Sequence, residues 1–231
     1  MAPLAVPPWL CLITDRRRLG AGRGHPRGEW TATLLTQVAA AAQAGVSLVI
    51  VREHDLEARA LAGLVRAVRA AVRGTATRVL VNDRLDVALA TGAEGVHLRE
   101  RSVTARDARH LAPPGFLIGR SVHDVEGAAQ AGPVDYLLAG TVYPTVSKPD
   151  TTPWLGLAGL AAVVAAATVP VLAIGGIASA DEVRQVRGAG AAGVGVIGGF
   201  QPGPREADLV TGVQNCVYNL RSGFDMPLGL P

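Results

Sequence analysis

The feature that most constrains this chain is an alternation. Short β-branched or leucine-rich runs take turns with longer, alanine-rich stretches of helical period. The short runs are Leu10–Thr14, Ser47–Val51, Arg78–Val81, Gly95–Leu98, Phe116–Gly119, Asp135–Ala139, Val169–Ile174 and Gly193–Ile197. Most are continuous apolar runs, as expected of strands covered on both faces, and no hairpin signal joins one to the next. Between them, Leu56–Val72 puts Leu56, Ala60, Leu61, Leu64, Val65, Val68 and Val72 on one stripe, with Arg59, Arg66, Arg69 and Arg73 facing away. Trp30–Ala44, Arg84–Ala90, Thr104–Leu111 and Ser179–Arg187 follow the same period.

Strands that alternate with helices in this way build a parallel α/β sheet. Eight such units close most naturally into a barrel, and the GxGxxG turn that opens a doubly wound sheet is missing after the first strand. The fold class expected is α/β, a single (β/α)8 TIM barrel with an extra C-terminal helix. The barrel is expected over about residues 10–200, and the helix Glu206–Leu220 with its tail over 201–231, so that 1–231 form one domain. Gly20–Gly28 reads as a mobile Gly/Arg-rich loop, and Tyr143–Pro153 as a lid over the sixth strand.

Composition narrows the function. No apolar stretch is long enough to span a bilayer, and Met1–Trp9 lacks the basic start and apolar run of a secretory signal. A cytoplasmic protein with no membrane partner is expected. Cys11 and Cys216 have no metal spacing and read as small buried hydrophobes. The formal charge of +3 is modest and its arginines are scattered, so a nucleic-acid partner is not expected. Lys148 is the single lysine of an arginine-rich chain, a mobile point charge suited to phosphate.

Barrel enzymes work at the carboxyl ends of their strands, with phosphate often held after strands seven and eight. Both places carry paired glycines here: Gly175-Gly176 after the seventh strand and Ile197-Gly198-Gly199 after the eighth. Glycine lets backbone N–H groups approach phosphate oxygens closely. Other strand ends carry Thr14-Asp15, Arg52-Glu53-His54, Asn82-Asp83, His97, Ser121 with His123, and Thr141 with Thr145, Ser147 and Lys148. Asn82-Asp83 could instead cap a helix starting at Arg84. As a set, these residues describe one pocket for a small phosphorylated molecule.

In order and spacing these motifs resemble the thiamine phosphate synthase and TenI-type thiazole tautomerase superfamily. The likeness rests on Leu12-Ile-Thr-Asp15, Arg52-Glu-His-Asp-Leu56, Val81-Asn-Asp-Arg84, Gly95-Val-His-Leu98 and Ile118-Gly-Arg-Ser-Val-His123. It continues through Asp135-Tyr136, Gly140-Thr-Val-Tyr-Pro-Thr145, Ser147-Lys148 and Ala173-Ile-Gly-Gly-Ile177. The resemblance implies a thiazole phosphate substrate, bound by Arg52, Asn82, Ser121, Thr141, Thr145, Ser147, Lys148, Gly175, Gly176, Ile197, Gly198 and Gly199.

The resemblance leaves the reaction to be chosen. A synthase joins a pyrimidine methyl diphosphate to thiazole phosphate and releases pyrophosphate with Mg²⁺, for which Asp83 is the implied ligand. A tautomerase shifts a proton to aromatise a thiazole carboxylate phosphate and needs no cofactor. Where synthases typically have glutamine, lysine and a second metal aspartate, this chain has Ile50, His54 and Ser102. Those replacements favour the tautomerase, with His54, His97 or His123 as the proton carrier. The alternatives are the Mg²⁺-dependent synthase and a non-catalytic thiazole- or thiamine-phosphate-binding regulator. A homodimer is the expected assembly.

Overall fold

The computed structural model describes residues 7–145, 154–197 and 208–224. Eight parallel strands close into a barrel in sequence order, each hydrogen-bonded to the next and the last to the first. They are β1 Trp9–Ile13, β2 Leu48–Val51, β3 Arg78–Asn82, β4 Gly95–Leu98, β5 Leu117–Val122, β6 Tyr136–Gly140, β7 Val171–Ile174 and β8 Gly193–Val196. The expected (β/α)8 TIM barrel is therefore the fold, and each of the eight apolar runs overlaps a strand.

The helices form the outer ring. They are α1 Arg16–Gly22, α2 Trp30–Gln43, α3 Ala58–Ala71, α4 Leu85–Thr91, α5 Ala105–Leu111, α6 Val125–Ala129, α7 Gly156–Ala166 and α8 Ala180–Gly188, followed by α9 Leu209–Ser222. The additional C-terminal helix is α9, which packs on α2. On α3 the Leu61, Leu64, Val65 and Val68 part of the stripe read from periodicity is buried, whereas Ala60 is exposed. No helix among the described residues is long and apolar enough to cross a membrane.

One sequence expectation about loops fails, and one alternative reading is ruled out. Gly20–Gly28 is not one mobile loop: it holds the end of α1 and the start of a 3-10 turn at Arg27–Glu29. Trp30 folds back over Gly20, leaving no room for a β-carbon there, and its indole N–H donates to the His25 carbonyl at 2.9 Å. Asn82-Asp83 does not cap α4 either, since the N-cap position is Arg84 and no side chain bonds the helix start. Most of the proposed Tyr143–Pro153 lid lies outside the described residues.

The core has two layers. Leucine, valine and alanine side chains fill the space between strands and helices. A smaller cluster of Trp9, Cys11, Ile13, Leu48, Ile50, Leu80, Leu117, Tyr136, Leu138 and Leu172 fills the barrel itself. Inward-facing side chains stack in layers in this fold. The top of the stack, nearest the carboxyl ends, turns polar, with buried Asn82 and His97 beside Ser121. Cys11 lies wholly inside, and burial pushes its thiol pKa up, so it is an inert hydrophobe as its sequence context suggested.

Candidate active site

At the carboxyl ends of the strands opens a cavity of about 620 Å³. Its floor is the upper rim of the apolar stack: Ile13, Ile50, Leu138, Ile174 and Ile197. Polar groups ring this floor, and four arginines, Arg18, Arg52, Arg99 and Arg101, stand at one side. Asp15 and Glu100 only partly balance them. An apolar floor under a cationic rim suits a flat ring carrying phosphate.

Arg52 is held by a network at the ends of β1 and β2. Its backbone N–H donates to the Thr14 hydroxyl oxygen at 2.9 Å, and that hydroxyl in turn bonds Glu53. Glu53 is buried and accepts from the Arg16 backbone N–H at 3.0 Å and the Arg16 guanidinium at 2.8 Å. The same guanidinium forks onto Asp55 at 2.7 and 2.8 Å. Burial pushes the Glu53 pKa up, against the pull of Thr14 and Arg16, whereas the Arg16 hydrogen bonds hold Asp55 down. Arg16 is thus a cation clamped between two carboxylates, and it locks the first two strand-end loops together.

A second cluster forms after β3 and β4. Asp83 adopts a left-handed backbone at φ 65°, and its N–H donates to the His97 carbonyl at 2.8 Å. A non-glycine residue in that region marks a constrained position, and such positions concentrate at functional sites. The Ser102 hydroxyl donates to the Asp83 carboxylate and accepts from the Arg99 N–H at 2.8 Å. Arg99 stands 3.7 Å from the same carboxylate. Just inside, the amide NH₂ of Asn82 is buried with no hydrogen-bond partner among the described residues. It is a donor left for a ligand.

On the far side, backbone hydrogen bonds stitch the described loop residues together. Val142 and Tyr143 N–H groups donate to the Ile174 and Gly175 carbonyls at 2.9 and 3.1 Å, tying the loop after β6 to the loop after β7. Gly175 has φ 103°, and a β-carbon there would overlap Thr141. Glycine is therefore required for the close approach of these two loops.

The three candidate histidines have different surroundings. His97 is buried with both ring nitrogens engaged, Nε2 at 2.8 Å from Ser121 Oγ and Nδ1 at 3.1 Å from Tyr136 Oη, and burial lowers its pKa to about 4. His123 lies 2.5 Å through Nδ1 from the Gly140 carbonyl, so Nδ1 carries the proton. His54 is outside the cavity wall; burial first, then Arg52 and Arg99, lower its pKa.

Arg52, Asn82, His97, Ser121, His123, Thr141, Thr145, Gly175 and Ile197 all line the one cavity. Asp83 and Gly176 are not among its lining residues, although Asp83 reaches its edge through Arg99. Ser147, Lys148, Gly198 and Gly199 fall outside the described residues. Sequence reasoning missed Arg18, Arg99 and Arg101 as rim cations, and it missed Glu53 and Arg16 as the support of the Arg52 loop. Nothing in the spacing of Arg99 and Arg101 shows that both line the cavity.

Comparison with known proteins matches residues 11–200 to the family model described as thiamine monophosphate synthase. The chain belongs to that family. It is 43% identical over 201 residues to a putative thiamine-phosphate synthase of Geobacter sulfurreducens, covering 85% of this chain and 89% of the relative. It is 42% identical over 190 residues to the thiamine-phosphate synthase of Albidiferax ferrireducens, covering 81% and 82%. Among solved structures it resembles the thiamine phosphate pyrophosphorylase from Pyrococcus furiosus, with a TM-score of 0.75, 31% identity and coverage of 94% and 95% of the two chains.

These relatives overturn the tautomerase expectation drawn from Ile50, His54 and Ser102. With it goes the expectation of a reaction needing no cofactor. The geometry supplies a physical reason. Ser102 bonds directly to Asp83, so the replaced position still belongs to the carboxylate cluster. Positive charge beside His54 comes from Arg52 and Arg99.

Proposed function

We propose that this member of the thiamine monophosphate synthase family is itself a thiamine phosphate synthase, joining a pyrimidine methyl diphosphate to a thiazole phosphate. The observation that carries this reading is the four-arginine rim beside the Asp83–Ser102 cluster, which offers far more cation than one thiazole monophosphate requires. A second anion, the diphosphate, fits that excess. The thiazole phosphate is assigned to the opposite side, at Thr145 and Gly175-Gly176, together with Ser147, Lys148, Gly198 and Gly199.

In the reaction, the bond between the pyrimidine methylene and the diphosphate oxygen breaks, and its electron pair leaves on the diphosphate. The thiazole nitrogen then supplies the pair for the new C–N bond. Arg18, Arg52, Arg99 and Arg101 neutralise the leaving charge, and Asn82 donates to the ligand through its unpartnered amide. Ile13, Ile50, Leu138, Ile174 and Ile197 keep water from the cationic methylene.

The donor set fits Mg²⁺ only as a site the substrate completes. No group of three His, Cys, Asp or Glu side chains able to hold a metal exists among the described residues. Mg²⁺ commonly uses one or two carboxylates and fills its remaining positions with water and substrate phosphates, which the Asp83 carboxylate with the Ser102 hydroxyl satisfies. When bound, Mg²⁺ supplies Lewis-acid neutralisation of the leaving pyrophosphate.

The decisive experiment gives the purified protein both substrates with MgCl₂ and follows thiamine phosphate and pyrophosphate. One pyrophosphate per thiamine phosphate is expected. Ligand binding without product would leave a binding module and end the synthase reading.

A further inference from the structure

His97 sits in a row that crosses the barrel wall. It pairs with Gly119 on β5, and Gly119 pairs with Tyr136 on β6. Gly119 contributes no side chain, and a β-carbon on it would overlap the Tyr136 ring. Through that gap the Tyr136 ring reaches across β5 and stacks on His97, with ring centroids 5.8 Å apart and planes at 25°. Trp9 also meets Tyr136 edge-on, with ring centroids 6.4 Å apart. Two residues beyond Gly119, on the same face of β5, Ser121 meets the other nitrogen of His97 at 2.8 Å.

The protons in this row can be ordered. Tyr136 is wholly buried, and its hydroxyl lies 3.1 Å from His97 Nδ1. A buried hydroxyl donor left without an acceptor is more costly than an unused lone pair, so Tyr136 donates and Nδ1 accepts. Burial holds the Tyr136 hydroxyl protonated and the imidazole neutral, which leaves one ring proton to place. That proton is on Nε2 and is donated to Ser121 Oγ. Ser121, already accepting from His97, has its own proton free, and Ser121 lines the cavity.

We infer that Tyr136, His97 and Ser121 form a one-way hydrogen-bond chain that presents the Ser121 hydroxyl to the ligand as a donor. Tyr136 and His97 are positioning residues within it, and neither moves a proton in the reaction. The ligand group that Ser121 meets is an acceptor, a phosphate oxygen or a ring nitrogen. Its identity as part of the thiamine phosphate substrates rests on the synthase reading, whereas the order of the chain does not.

The test is nitrogen NMR of ¹⁵N-histidine-labelled, full-length protein. His97 is expected as the neutral Nε2–H tautomer, with a hydrogen-bonded, unprotonated Nδ1. A Tyr136→Phe variant should move the Nδ1 signal toward that of a free unprotonated nitrogen. An Nδ1–H tautomer, an imidazolium, or an Nδ1 signal indifferent to Tyr136→Phe overturns the chain.

Binding of thiamine phosphate with pyrophosphate and MgCl₂ gives a second readout. His97→Gln keeps one acceptor and one donor and should stay within about twofold of the parent, while His97→Phe keeps the ring and should weaken binding about fivefold. The reverse ranking would mean that His97 acts only by packing. If no thiamine phosphate is formed or bound but the Nε2–H tautomer is found, the synthase reading fails and the chain stands.

Discussion

The cavity is held by two regions built on opposite principles. At the ends of β1 and β2, the rim rests on full charges: Arg16 between Glu53 and Asp55, with Arg52 carried on the same lattice. Between β4 and β6, His97, Tyr136 and Ser121 are equally fixed without a single charge, by stacking and neutral hydrogen bonds. Charge holds strongly where it is paired and is unforgiving when one partner is lost. A neutral row holds direction, and it answers to pH only when its imidazole is forced to ionise. Perturbations aimed at one region should leave the other largely intact.

The largest effect is expected from Arg16→Met. It leaves the buried Glu53 carboxylate without its cation, and truncating one partner of a buried pair costs about 3–5 kcal/mol. Urea unfolding at neutral pH measures this directly. Synthase turnover should fall with it, because Arg52 loses its anchoring loop. A loss below about 1 kcal/mol would show that the rim does not depend on charge.

Second comes pH, and here the neutral row responds. The unfolded chain takes up a proton on His97 near the ordinary value of 6.5, but the folded chain resists until about 4. The stability His97 contributes is therefore fully present above 6.5, is lost as pH falls through this window, and changes no further below it. Over the window the loss is roughly 3 kcal/mol, at about 1.4 kcal/mol per pH unit. His54 is shifted in the same direction, so the comparison is between the parent and His97→Gln. The variant should show a shallower decline in unfolding free energy between pH 6.5 and 4, and identical slopes would refute the assignment.

Gly119→Ala should rank third. Its β-carbon would occupy the space of the Tyr136 ring, and overpacking of this kind costs about 1–3 kcal/mol. The NMR signature of His97 Nδ1 should change with it, while turnover at saturating substrate falls less than in Arg16→Met. An unaltered signature would mean that Tyr136 does not need the gap.

The fold was legible because strand and helix periodicities repeat, and each apolar run is long enough to be a strand and too short to be anything else. Site residues at strand ends were legible for the same reason: position in the repeat fixes the end of the barrel they face. Arg16 and Glu53 were not, because their partnership spans 37 residues and depends on two loops meeting. Tyr136 was visible only as part of a motif. Its role comes from Gly119 on the next strand, and cross-strand register has no trace in a single sequence. Ile50, His54 and Ser102 misled because substitutions were judged one at a time, while charge in a cavity is shared among neighbours. Arg99 and Arg101 add charge to the same cavity, and their direction is set by the fold of the loop after β4.

The smallest expected effect separates the two regions most cleanly. Raising NaCl from about 0.1 M to about 1 M shortens the screening length from about 10 Å to about 3 Å. The rim arginines are partly open to solvent, with the Arg99 side chain 51% exposed, so their attraction for a phosphate is exposed to this screening. Binding of pyrophosphate with MgCl₂ should weaken about fivefold over that range. Loss of the Ser121 donor in Ser121→Ala should weaken thiamine phosphate binding by about fivefold as well, the scale of one hydrogen bond. That second factor should be the same at both salt concentrations, because a neutral donor has no net charge to screen. If the Ser121→Ala factor shrinks with salt in step with the pyrophosphate affinity, Ser121 works through the charged rim, and the division between the two regions does not hold.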